Sequence, residues 1–495
     1  MTEKNMVAFD CGNSSFRTIL GRYDGKKLVT EVVDQVPNYM IEVNGYFYWD
    51  ILYIYKGLID GLKKTTAMVK KIDSIGICTW GVDFALFSKE GVMLNNPCSY
   101  RNPYGSEIFN EISADDKRSI FYETGILCDK INSLFLLNAL NKKMPTITDS
   151  ANTLLMIPDI LNYFFTGCMI NEPSEFSTTQ LMNVKTKKVS KKICDMFSIR
   201  HNLFAPIGTH GTVLGNLKSE IKKEIGIEYD IPVICVPSHD TAAAVMAVPA
   251  TGNDAFMFIS AGTWSLIGTE LAEPLISDDV LTAGLTNEVG AFDSITLLKN
   301  SAGMFILQRL KKEYETELGR EIEWKEVDLL TAAYKGTIPI ILVNDVRFFN
   351  PASMSETIWK YLLQTRQVTG NKSWAMLFRC VEKSLACSYA LTLAEIEKIC
   401  KNNFNSVYIV GGGSRNKTID QLTANYTGKE VLTGAKESTS LGNLLTQIKY
   451  FYPELSRKDL RNIVAKNMQS IRYTAQNPDK SDLAVYQKLA SGGMN

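Results

Sequence analysis

The chain lacks the residues that metal and redox chemistry would need. Only three histidines occur among its 495 residues, His201, His210 and His239, and no two stand at a zinc-ligand spacing. Its ten cysteines are scattered, with Cys11, Cys78, Cys98, Cys235 and Cys387 among them, most in apolar runs, and no C-x-x-C pair is present. Reduced, largely buried thiols are expected, and transition-metal chemistry is not. Charge of one sign is missing too. Lysine plus arginine equals aspartate plus glutamate at 53 each, so the net charge is zero. A nucleic-acid-binding surface normally leaves a basic excess, so no nucleic-acid partner is expected. Met1–Asn5 opens without the apolar core of a signal peptide, and no run is long and apolar enough to span a bilayer. The expectation is a cytoplasmic protein with no membrane partner. Neither GxGxxG nor GxxxxGK[ST] occurs, and no segment is of low complexity.

What is present is a globular composition, 45% hydrophobic and 21% charged, on a chain long enough for two domains with real cores. Near the N-terminus an apolar strand, Val7-Ala8-Phe9, runs into Asp10-Cys11-Gly12-Asn13-Ser14-Ser15, and Phe16 to Leu20 read as the returning arm of a hairpin. Gly12 permits a tight turn, and Ser14 and Ser15 offer hydroxyls and amides to an anion. Asp10 suits a metal-bound water and Arg17 a phosphate oxygen. Alone, the segment reads as an ordinary structural turn. A similar device recurs at Ala255–Gly268, where an apolar strand meets Gly262-Thr263 and returns through Trp264-Ser265-Leu266. A third glycine site, Gly411-Gly412-Gly413-Ser414, follows Val407–Val410 and precedes a predicted helix from Asn416 to Ala424. Two anion clamps in separate halves, plus a late glycine site, point to a nucleotide held between two lobes.

Strands alternate with helices through the first half. Lys71–Thr79 reads as a buried strand after a helical stretch from Tyr53 to Val69, and Thr153–Asp159 opens a segment whose helix stops at Gly167. Ile231–Val236 reads as a strand leading into the small-residue helix Thr241–Ala247. The loop Pro249–Asp254 is the expected boundary, giving an N-terminal lobe 1–250, a C-terminal lobe 251–473 and a polar, peripheral tail 474–495. A long helix is predicted from about Ser373 to Ile399. The paired hairpins suggest an internal duplication.

Two segments offer chemistry. Ser238-His239-Asp240-Thr241 lies between a strand and a helix, where ligands commonly bind in α/β proteins. Asp240 reads either as a helix N-cap or as a general base taking a proton from an attacking hydroxyl. Thr79-Trp80-Gly81-Val82-Asp83 sets an indole beside a carboxylate, which suits a polyol but equally describes a buried Trp at a turn.

Together these motifs resemble the FGGY carbohydrate kinases, and within them the rhamnulokinase subgroup, over nearly the whole chain. The resemblance rests on Phe9–Ser15, Ser74–Asp83, Ser238–Ala242, Gly262–Ser265, Leu298–Asn300 and Val410–Gly413. It implies two ribonuclease H-like lobes of the actin and hexokinase type, with a nucleotide and sugar cleft between them. It further implies that Asn13, Ser14, Ser15, Phe16 and Arg17 contact ATP phosphates, and that Asp10 holds Mg²⁺ through water. Thr263, Gln308 and Gly412 would line the nucleotide site. Gly81, His239, Asp240, Thr241 and Asn300 would meet the sugar, with Asp240 as proton acceptor. The implied reaction turns ATP and L-rhamnulose into ADP and L-rhamnulose 1-phosphate, in a monomer or homodimer. Two positions depart from the family pattern: Phe16 stands where a small residue is usual, and Cys78 where the subgroup carries Asp. Both bear more on the sugar than on the kinase assignment. Another ketose, such as L-fuculose or a pentulose, remains an alternative. So do a non-catalytic sugar sensor and an actin-like ATPase, although no DNA-binding segment or cysteine zinc site supports the former.

Overall fold

Two hairpins organise the protein, at the two places where the sequence repeats its strand–turn–strand device. The computed structural model describes residues 3–251, 255–434, 437–467, 470–477 and 480–492. The chain forms two compact units. The first comprises Met1–Gly252, Glu270–Leu297 and Glu437–Gln469, and the second Asn253–Thr269, Leu298–Lys436 and Ser470–Asn495. The expected boundary loop Pro249–Asp254 lies partly outside the described residues, at 252–254.

In the first unit, strand Lys4–Cys11 pairs antiparallel with Ser15–Tyr23 and parallel with Ser74–Thr79. The six-stranded sheet is completed by Leu28–Pro37 on one side and by Pro232–Ile234 and Val213–Asn216 on the other. Met6–Phe9 form an unbroken apolar run within Lys4–Cys11 because both faces of the strand are covered there. Val7, Phe9 and Cys11 pack in one core with Ile54, Leu58 and Phe165, while Met6 and Ala8 pack in another with Leu444 and Ile448. The second layer is helix Ser438–Phe451, from late in the chain. Gln447 on it donates to the Val7 carbonyl at 3.0 Å and accepts from Ser74 Oγ at 2.6 Å. A Cβ on its Gly442 would lie 1.8 Å from the Ala243 carbonyl oxygen, so this glycine and the alanines of helix Asp240–Met246 let two backbones meet closely.

In the second unit, Met257–Ala261 pairs antiparallel with Trp264–Leu271 and parallel with Ser406–Val410, the arrangement of the first hairpin again. Glu430–Thr433 continues parallel and Arg472–Tyr473 antiparallel. The predicted long helix spans Trp374–Cys400. After Tyr473 the chain does not trail off as a polar tail. Helix Ser481–Ala490 buries Tyr486 and Leu489 in a core with Ala386, Cys387 and Tyr426. Its Asp482 accepts from Lys383 Nζ at 2.9 Å and from the Tyr426 hydroxyl at 2.6 Å. All ten cysteines are free thiols, and seven are buried. Among the described residues no helix is long and apolar enough to cross a membrane.

Candidate active site

The first turn is closed by the Gly12 amide donating to the Ser15 carbonyl at 2.9 Å. Strand register sets Asp10 opposite Arg17, and the guanidinium reaches the Asp10 carboxylate at 2.5 Å. Arg17 also pairs with Glu437, and Ser440 Oγ donates to Asp10 at 3.2 Å. Burial pushes the Asp10 carboxyl above its ordinary range; Arg17 opposes this, while Asp240 and Glu437 add to it. Asn13 donates to the Tyr100 hydroxyl at 3.3 Å, leaving its Oδ1 buried with no hydrogen-bond partner. Ser14 is exposed and Ser15 half-buried, as an anion clamp needs. Phe16 differs. Its ring is buried against Tyr53 and beside Gly57, and its backbone pairs with Cys11 and Val36, so it presents nothing to a phosphate. The large side chain is accommodated on the core side of the strand, not in the turn.

The Asp240 segment follows strand Pro232–Ile234, and the Ser238 carbonyl accepts the Thr79 amide at 2.8 Å. The helix begins at Asp240 with His239 at the cap position, so the N-cap reading of Asp240 does not hold. The Asp240 carboxylate accepts from Thr241 Oγ1 at 3.1 Å, and its side chain is 42% exposed. Its neighbour His239 lies 3.3 Å from Glu288 and 3.6 Å from Asp240. Burial works against its charge, but the two carboxylates prevail and hold the imidazole at about 9. A Cβ on Gly81 would sit 3.2 Å from His239 Nε2 and from Thr178, which explains a glycine there.

The polyol reading of Trp80 and Asp83 gives way to the structural one. Asp83 is fully buried, and its carboxylate accepts the indole N–H groups of Trp49 at 2.6 Å and Trp80 at 2.8 Å, plus the Tyr100 amide at 2.7 Å. Burial still pushes it to about 7, with these three donors pulling down. Cys78 is likewise inside. Asn443 donates to its sulfur at 3.3 Å, and the thiol donates to the Pro237 carbonyl at 3.2 Å.

In the second unit Thr263, Gln308 and Gly412 stand on three elements joined near the Ala261–Thr263 turn. The Gly262 and Thr263 carbonyls accept the amides of Met304 and Phe305, which start the helix carrying Gln308. A Cβ on Gly303 would fall 2.7 Å from the Thr263 carbonyl oxygen, so the loop must be glycine there. Gly411 has φ +84° and would place a Cβ 3.1 Å from the Ala261 carbonyl oxygen. Gly412 itself faces open space. A short 3₁₀ turn, Gly412–Arg415, leads from Gly411 to helix Lys417–Thr427, and Asn416 caps that helix by accepting the Ile419 amide at 2.9 Å. Asn300 lies exposed on the part of strand Ile295–Ala302 that belongs to this unit, while Gly81, His239, Asp240 and Thr241 cluster in the first.

Residues 5–247 match the N-terminal domain, and residues 257–449 the C-terminal domain, of the FGGY family of carbohydrate kinases. The chain belongs to this family. It is 37% identical to a rhamnulokinase of Oceanobacillus iheyensis, over 89% of this chain and 92% of that protein. A rhamnulokinase of Bacteroides thetaiotaomicron is 34% identical, over 97% of this chain and 98% of its own. Among solved structures, the ligand-bound xylulose kinase of Lactobacillus acidophilus superposes with a TM-score of 0.79 at 16% identity, over 99% of this chain and 97% of that one. Plasmodium falciparum glycerol kinase with ADP gives the same score and coverage. The fold is thus the two-domain α/β fold of sugar kinases, and this FGGY chain is a sugar phosphotransferase. Sequence reading missed Glu437 and Ser440, which touch Arg17 and Asp10 from over 400 residues away and carry no local signal. It also missed Glu288, whose one signal is an acid inside the buried strand Thr286–Val289.

Proposed function

We propose that the protein transfers the γ-phosphoryl group of ATP to the 1-hydroxyl of L-rhamnulose, with Asp240 as general base. The observation that carries the reading is Asp240 itself: a half-exposed carboxylate at the start of a helix, freed from capping and flanked by a charged His239. The rhamnulokinase relatives, matched over nearly their whole lengths, supply the sugar. Asp240 takes the hydroxyl proton as the sugar oxygen bonds to phosphorus and the bond to the ADP oxygen breaks. On this reading His239, Thr241, Gly81 and Asn300 meet the sugar. Asn13, Ser14, Ser15 and Arg17 receive the phosphates, Arg17 exchanging its Glu437 contact for a phosphate oxygen. Thr263, Gln308 and Gly412 take the nucleotide.

Magnesium fits the donors present. Asp10 and Asp240 offer hard carboxylate oxygens, and Mg²⁺ commonly takes one or two carboxylates together with substrate phosphates and waters. Asp10 would hold it through water, and the ion would neutralise charge on the phosphates.

The test is ADP release across a panel of ketoses that includes L-rhamnulose, L-fuculose and pentuloses. L-rhamnulose should give the highest kcat/KM, and a better alternative ketose would replace the sugar assignment. Asp240→Asn should lower turnover by about 10²–10⁴-fold while sugar binding persists. Near-normal turnover in that variant would remove Asp240 from the chemistry.

A further inference from the structure

We propose that Ser174 and Glu172 are positioning residues for the loop bearing Asp240, acting through a buried hydrogen-bond chain that ends on the His239 amide. The chain begins outside the sugar-side residues. The Phe292 amide donates to His210 Nδ1 at 2.9 Å, so that nitrogen presents its lone pair and the ring proton sits on Nε2, against Glu172. Phe292 itself adopts φ +48°, a left-handed conformation, and this bond to His210 is one of the contacts holding it there.

Glu172 is wholly buried, and its carboxylate also accepts the Ser174 amide at 3.0 Å, the Glu175 amide at 2.8 Å and Ser174 Oγ at 2.7 Å. Burial disfavours its charge, but the His210 and Ser174 donors outweigh that and hold the carboxyl below its ordinary value. An anion cannot donate. The Ser174 hydroxyl proton is therefore committed to Glu172, and a lone pair on Ser174 Oγ is left to accept the His239 amide, at 3.1 Å. Every polarity in the chain follows from its two ends.

The same short segment repeats the device twice. Ser177 Oγ donates to the Ser174 carbonyl at 2.8 Å and accepts the Val289 amide at 3.1 Å. Thr178 Oγ1 donates to the Glu175 carbonyl at 2.7 Å and accepts the Val82 amide at 3.1 Å. Three hydroxyls within five residues thus each hold one amide: beside Gly81, at His239, and beside Glu288. These are the segments whose side chains surround His239. Glu172 anchors that scaffold, and Ser174 is its link to Asp240.

The proposal rests on the kinase reading of Asp240, and two readouts keep the two separable. In Ser174→Ala, hydrogen exchange of the His239 amide should quicken by about fivefold to tenfold, the scale of one lost hydrogen bond, while strand Lys4–Cys11 exchanges as before. With the best ketose, kcat should fall by about the same factor and the KM for ATP should stay unchanged. Glu172→Gln, which turns an N–H₂ toward existing donors, should show the same local pattern, larger. Thr65→Ala removes another buried hydroxyl, bonded only within helix Ile51–Thr66 at 2.8 Å, and should leave both readouts alone. Unchanged His239 exchange in Ser174→Ala, or a rise spread evenly through the first unit, overturns the proposal. So does unchanged kcat alongside quickened exchange. A wild-type protein with no ketose-dependent ADP release fails the kinase reading instead, and the exchange data still decide the hydrogen-bond chain.

Discussion

Charge at single residues sets the behaviour of the proposed sugar side. His239 sits between Glu288 and Asp240 and is raised from 6.5 to about 9. A group with a raised basic pKa stabilises the fold fully below its unfolded value, and that contribution is lost as pH rises through the folded value. The His239 term is therefore complete below about pH 6.5 and gone above about pH 9, with a ceiling of about 3 kcal/mol. In urea unfolding, His239→Gln should be most destabilising at pH 6 and nearly neutral at pH 9.5; a penalty independent of pH would mean that the imidazole is uncharged at neutral pH. Asp83 shows why residue roles are hard to read locally. An indole beside a carboxylate fits a polyol, yet both groups are consumed by each other, by Trp49 and by the Tyr100 amide, and the decisive partners lie 17 and 34 residues away. Asp10, Arg17 and Asp240 could be singled out in the sequence because they stand at or near a strand end or a helix start, where ligands commonly bind in α/β proteins.

At the scale of elements, the first hairpin and helix Ile51–Thr66 explain each other. A Cβ on Gly57 would stand 2.4 Å from the Phe16 ring, and one on Gly61 would stand 2.0 Å from Thr18 Oγ1. The helix carries two glycines at the cost of propensity so that it can lie against the hairpin, and Phe16 fills the space that Gly57 leaves. Gly57→Ala gains about 1 kcal/mol of helix propensity but overpacks a fully buried ring, for a net loss of about 1–2 kcal/mol. Combining it with Phe16→Leu should recover most of that loss in the denaturation midpoint, and additive losses would show that the two do not share the space. Most elements were legible from apolar runs ended by glycine. Gly167 closes helix Ile157–Thr166 in a left-handed conformation, and the long helix falls within a residue or so of its predicted ends. What chain order conceals is long-range return. Helix Ser438–Phe451 belongs to the first unit, and its pairing with Ser74, Val7 and Cys78 leaves no mark in its own periodicity. The C-terminal helix escaped notice because only Tyr486 and Leu489 of its ten residues are buried, too few for an apolar stripe.

For the molecule as a whole, the proposed ligands divide between the two units. Asn13–Arg17, Asp10 and Asp240 belong to the first, and Thr263, Gln308 and Gly412 to the second. On the kinase reading, a bound triphosphate touches residues of both sets. With a non-hydrolysable ATP analogue and the preferred ketose, amide exchange should slow in both the 10–17 and the 262–265 segments. A sugar kinase that keeps water from the transferred group should hydrolyse ATP slowly without sugar and be strongly stimulated by the right ketose. Protection confined to one unit would mean that the nucleotide needs only that unit. Fast hydrolysis without sugar would instead favour a nucleotide-driven ATPase, in which Asp240 would serve a water molecule in place of a sugar hydroxyl.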